Sequence, residues 1–115
     1  MTAPTIDIPT FEALQQTAGA QFVGELVDTF LEEAPGMLAD LRQALAAGNA
    51  EQFRRCAHSL KSNSLTFGAS ALGAMARELE LGGLGPVAAA NGAPLDALEG
   101  EYSRVAAALA DLRDA

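Results

Sequence analysis

The chain has 115 residues, half of them hydrophobic, a formal net charge of -8, one cysteine and one histidine. That length and apolar content suit a single domain with a real core, while the lone cysteine and histidine exclude an internal disulfide and a four-ligand zinc site. The negative charge argues against a nucleic-acid or anionic-membrane surface, no apolar run approaches the roughly 18 residues of a membrane span, and no basic stretch leads into an apolar one at the N-terminus, so a cytoplasmic protein is expected.

Strand signals are nearly missing: alanine and leucine dominate, β-branched residues are sparse, and no apolar alternation is sustained, which predicts an all-α chain. Residues 1–9 read as an extended arm whose Ile6 and Ile8 pack across the bundle. Thr10 is placed to cap a short helix over 10–18 that carries Phe11 and Leu14. A long helix follows over 21–47, with Phe22, Leu26, Phe30, Ala34, Met37, Leu41 and Leu45 recurring in steps of three and four. Pro35 lies inside it, and an interior proline costs ~3 kcal/mol. The apolar phase nevertheless continues from Phe30 through Ala34 to Met37, so a kink is expected, with a split at Ala34 as the alternative.

Gly48 suits a helix C-terminus, and Asn49 with Gln52 resembles a capping box that opens a third helix over 50–67. Gly68 is the expected corner into a fourth helix over 69–81, bearing Leu72, Met75, Ala76 and Leu79 on one side. Residues 82–93 are rich in glycine, alanine and proline and read as a connection. Pro94 fits the first turn of a last helix over 94–113, where Leu95, Leu98, Tyr102, Val105, Leu109 and Leu112 form a narrow seam. The whole is predicted to be one domain, residues 1–115, folded as an antiparallel up-down-up-down four-helix bundle with a short additional N-terminal helix as a lid.

The third helix holds the candidate site. At about 100° per residue, Phe53, Ala57, Leu60, Ser64 and Phe67 fall within about 40° of one direction, which is the expected buried stripe. His58 lies about 140° from that stripe and should face solvent. Lys61 and Ser62 adjoin it one turn on, Arg54 and Arg55 flank it from the preceding turn, and Leu65 adds an apolar contact two turns on. Cys56, at the edge of the stripe with no evident base partner, is expected to be a small core residue.

An imidazole of ordinary pKa, ~6.5, is mostly neutral above pH 7 and has a lone pair for attack. Attack on a phosphoryl group would place its oxygens within reach of the Lys61 ammonium. No phosphate-cradling glycine loop, no clustered carboxylates for Mg²⁺ and no acid or base paired with the histidine can be seen in the sequence, so the phosphoryl group must come from another protein.

The run Ala57-His58-Ser59-Leu60-Lys61, with Gly68-Ala69 ten residues after the histidine, resembles the signature of histidine-containing phosphotransfer (Hpt) domains of two-component phosphorelays. Phe30-Leu31-Glu32-Glu33-Ala34-Pro35 upstream and Leu72, Ala76, Leu79 and Glu80 downstream extend the resemblance over nearly the whole chain. It implies a non-enzymatic carrier, a four-helix bundle in which His58 accepts a phosphoryl group from an aspartate of one receiver domain and passes it to another. Lys61 would steady the phosphate. The implied partners are receiver domains of response regulators or hybrid histidine kinases, with a monomeric carrier, no cofactor of its own, no metal, and Mg²⁺ in the partner. Where the family usually has glycine after the lysine, this chain has Ser62, which adds a hydroxyl beside the histidine. Two other readings share the same face: a docking module that carries no phosphate, and the phosphoacceptor domain of a chemotaxis-type kinase.

Overall fold

In the computed structural model, which describes residues 5–114, the chain forms six α-helices and, among those residues, no strand. They are α1 (Ile8–Ala18), α2 (Ala20–Ala47), α3 (Ala50–Thr66), α4 (Ser70–Gly82), α5 (Leu84–Ala89) and α6 (Ala93–Asp114). Only Gly48 and Asn49 join α2 to α3, and residues 67–69 join α3 to α4. Connections this short reach at most about 10 Å, against about 25 Å for the 17 residues of α3, so packed neighbours must run antiparallel. The direction of α6 follows from its ion pairs. Arg42, late in α2, meets Asp96 and Glu99 near the start of α6, while Arg113 at the end of α6 meets Asp28 near the start of α2. The bundle is therefore up-down-up-down, with α2, α3, α4 and α6 packed in cyclic order and the α3/α4 contact the most extensive.

Helix α1 starts at Ile8, not Thr10. Asp7 is its cap: the carboxylate accepts from the Thr10 backbone N–H at 3.3 Å and also from the Thr10 hydroxyl, and Pro9 falls where a helix has no use for an N–H. Ile8 is thus helical and exposed, whereas Ile6 is buried as the arm reading expects. Residues 1–4 of that arm lie outside the described residues.

Over its first turns, the buried face of α2 also differs from the expected one. Val23 and Val27 point inward, with Phe30, Ala34, Leu38, Leu41 and Ala44, while Phe22 is 51% exposed. The reason is geometric: each step of four advances about 40° around a helix, so the series 22, 26, 30, 34 drifts by about 120°, whereas 23, 27, 30, 34 stays within about 60°. Pro35 is accommodated within one continuous helix, on its exposed side.

The connection 82–93 is not structureless. Val87 is buried, 2% exposed, and anchors the short helix α5 against α4, α2 and α6. Pro86, in the first turn, costs little there, because the first turn's N–H groups have no helical partner. In α6 the seam is carried by Leu95, Leu98, Val105 and Leu109, with Tyr102 and Leu112 half-buried beside them.

Candidate functional site

Asn49 caps α3 by accepting from the Gln52 N–H at 3.1 Å, and Phe53, Ala57, Leu60, Ser64 and Phe67 are buried along one side of it. That rotation leaves the His58 side chain 54% exposed on the opposite side. Gly68 sets the far end of the helix. It has φ +84° and its carbonyl accepts from the Asp7 N–H at 2.8 Å; a Cβ there would lie 2.8 Å from the Asp7 carbonyl oxygen, so glycine is required both by backbone conformation and by space. Ala69, next in the corner, is fully buried.

The corner turns α4 back along α3 and brings a residue of α4 to the histidine. Glu80 Oε2 lies 2.8 Å from His58 Nδ1, and Glu80 Oε1 lies 2.9 Å from Lys61 Nζ. The glutamate side chain is only 14% exposed, and Oε1 is shielded with no well-aligned hydrogen-bond donor, so the Lys61 ammonium is its charge partner. Lys61 chiefly, and then the His58 hydrogen bond, hold the Glu80 carboxyl below the usual carboxylate range, against the opposing effect of partial burial. An ionised carboxylate can only accept hydrogen bonds. Nδ1 therefore carries the imidazole proton, and in the neutral ring the lone pair lies on Nε2, which makes no hydrogen bond among the described residues.

This corrects the expectation that the histidine has no acid or base partner. Glu80 is 22 positions away in sequence, and its link to His58 arises only from the helical hairpin. The signal was present in part, since a three-residue corner after α3 forces α4 to return past His58 and Lys61.

The structure separates the other candidates. Arg54 and Arg55 do not join the His58 cluster by any ion pair; both turn to Glu51, at 2.8 and 3.8 Å, one turn toward the N-terminus. Spacings of three and four on one helix favour those local pairs over a neutral imidazole. Ser62 is exposed and its backbone carbonyl accepts from the Thr66 hydroxyl at 2.9 Å. Leu65 is 49% exposed and lies over Gly73 of α4, where a Cβ would come within 2.6 Å of Leu65 Cδ2. Cys56 is half-buried at the edge of a shallow recess with Met37, Asp40, Gln52, Arg55 and Ser59; burial first, then Asp40, pushes its thiol up, which disfavours a reactive thiolate.

Among the described residues no group of three or more histidine, cysteine, aspartate or glutamate side chains is arranged to hold a metal ion, and no helix is long and apolar enough to cross a membrane.

Residues 25–115 match the sequence family described as the Hpt domain. The crystal structure of histidine-containing phosphotransfer protein B (HptB) from Pseudomonas aeruginosa PAO1 is similar over 98% of this chain and 97% of that one, with a TM-score of 0.81 and 29% sequence identity. No curated protein matches the chain at a significant level.

Proposed function

The chain belongs to the Hpt domain family, and from that premise we propose that it is a cytoplasmic phosphorelay carrier that takes a phosphoryl group on His58 from a receiver-domain aspartate and passes it to the aspartate of a second receiver domain. The observation that carries this reading is the Glu80 contact on Nδ1, because it leaves Nε2 as the nucleophile on an exposed, rigid helix.

In the transfer, the Nε2 lone pair forms a bond to phosphorus as the bond from phosphorus to the aspartyl oxygen breaks, and the aspartate leaves as a carboxylate. The ring keeps its Nδ1 proton and gains positive charge, which the ionised Glu80 faces at 2.8 Å. Reversal of the same step on a second aspartate discharges the carrier. Lys61 shares its ammonium between Glu80 and the incoming phosphoryl oxygens, where a charge-assisted hydrogen bond is favourable. Exposed Ser62 leaves room for the partner, and Leu65 offers an apolar contact beside the nucleophile. The carrier contributes a nucleophile and its orientation; the receiver contributes the pocket, the Mg²⁺ and the acidic acceptor.

The test is direct. Incubated with a phosphorylated receiver domain and Mg²⁺, the protein acquires phosphate that is acid-labile and base-stable, and His58→Gln acquires none. Equal labelling of His58→Gln removes His58 from the reaction.

A further inference from the structure

Arg42, Arg54, Arg55, Lys61, Arg104 and Arg113 each lie within ion-pairing distance of a carboxylate. Arg77 alone of the seven basic residues makes no ion pair among the described residues. Its place is set by the α3/α4 register. His58 meets Glu80, and Leu65, seven residues further along α3, lies over Gly73, seven residues back along α4. Three residues along from that first pair, Lys61 is level with Arg77.

The wheel of α4 gives the direction. Leu72, Ala76 and Leu79 are buried, and Arg77 lies about 60° from Glu80 on the side away from them. It is exposed, on the same face as His58, Ser62 and Leu65. The one basic residue with no ion pair among the described residues therefore stands about one helical turn from the carboxylate that holds His58.

We propose that Arg77 is a docking residue that pairs with an acidic side chain on the rim of the receiver domain seated over His58. The proposal rests on the phosphotransfer reading of this face. A receiver pocket that binds Mg²⁺ and presents a reactive aspartate is acidic at its mouth, and a carrier with a net charge of -8 repels it at long range. Lys61 cannot offset that repulsion in the resting state, because Glu80 neutralises it at 2.9 Å. Arg77 supplies the local positive charge, at the rim, where a charge acts on association rate and its salt dependence.

Two variants with the same change in net charge test this: Arg77→Gln, and Ala107→Glu at an exposed position of α6, a helix that packs on α2 and α4 and stands diagonal to α3. Transfer is followed from a phosphorylated receiver domain that labels the wild-type chain, over a range of NaCl concentrations, with melting curves to show that both variants fold. At low salt Arg77→Gln lowers kcat/KM by about threefold to tenfold, the loss fades at high salt, and Ala107→Glu follows the wild type. Equal effects of the two variants overturn the docking role, as does a loss in Arg77→Gln that salt does not alter. A shortened phosphohistidine lifetime without partner, at unchanged kcat/KM, also overturns it and assigns Arg77 to the phosphoryl group. A wild-type chain that no receiver domain labels overturns the phosphotransfer reading itself, and the docking role with it.

Discussion

Ion pairs cross both the α2/α6 and the α3/α4 interfaces of this bundle, with different consequences. Between α2 and α6, the Arg42 guanidinium takes Glu99 in a two-pronged contact at 2.9 and 2.6 Å and reaches Asp96 at 2.6 Å, while Arg113 meets Asp28 near the other end. Every group in that set is an ion whose partner is another ion. Between α3 and α4 a single carboxylate, Glu80, is divided between an ammonium and an imidazole, and one nitrogen of that imidazole is left at the surface without a hydrogen bond among the described residues. The first interface ties helix ends together; the second orients a titratable ring. An ion pair is informative about function when its carboxylate also holds a group that can react.

Substitutions can break this distinction. Leu60, fully buried under α3, belongs to the fold alone, so Leu60→Ala should lower stability by about 2 to 5 kcal/mol, read by chemical denaturation. An unchanged melting temperature would mean that α3 is rotated differently, and His58 with it.

Glu80→Ala should act chiefly on the chemistry, lowering the melting temperature far less than Leu60→Ala while slowing phosphoryl transfer by about 10²-fold, measured as the single-turnover rate from a phosphorylated receiver domain. Glu80→Gln can still accept from Nδ1–H but supplies no negative charge, so it should lie between the alanine variant and the wild type. A wild-type rate in Glu80→Ala would make the α3/α4 ion pairs as purely structural as those of α2/α6.

The smallest effect is expected at α2/α6. Arg42→Ala should cost about 1 kcal/mol or less, because the side chains are substantially exposed, and should leave transfer unchanged. Its pH signature is more specific. The Arg42 hydrogen bonds hold the Glu99 carboxyl below its ordinary range, so this pair's stabilisation is present above about pH 4.3 and is lost as pH falls through the lower folded-state value. Arg42→Ala should therefore show a shallower acid loss than the wild type in denaturation curves taken at a series of pH values.

Much of this fold is legible in the sequence because helical periodicity is a local property. Phe53, Ala57, Leu60, Ser64 and Phe67 repeat closely enough to fix the rotation of α3, and with it the exposure of His58. The early turns of α2 are misread because valines and larger apolar side chains alternate there, and only contact with the rest of the bundle decides that Val23 and Val27 face in. Glu80 is harder still, since a wheel places it at the edge of α4 but says nothing of which α3 residue it meets. Arg54 and Arg55 illustrate the opposite error: they are near His58 in sequence, yet a carboxylate one turn away claims them both.

The central claim is that Glu80 holds Nδ1 and leaves Nε2 of His58 to take the phosphoryl group. Loading the ¹⁵N-histidine-labelled protein from a phosphorylated receiver domain and recording long-range ¹H–¹⁵N and ³¹P spectra tests it most directly. Phosphorus coupled to Nε2, with Nδ1 still protonated, is the predicted result; phosphorus on Nδ1, or on a residue other than His58, would contradict the account.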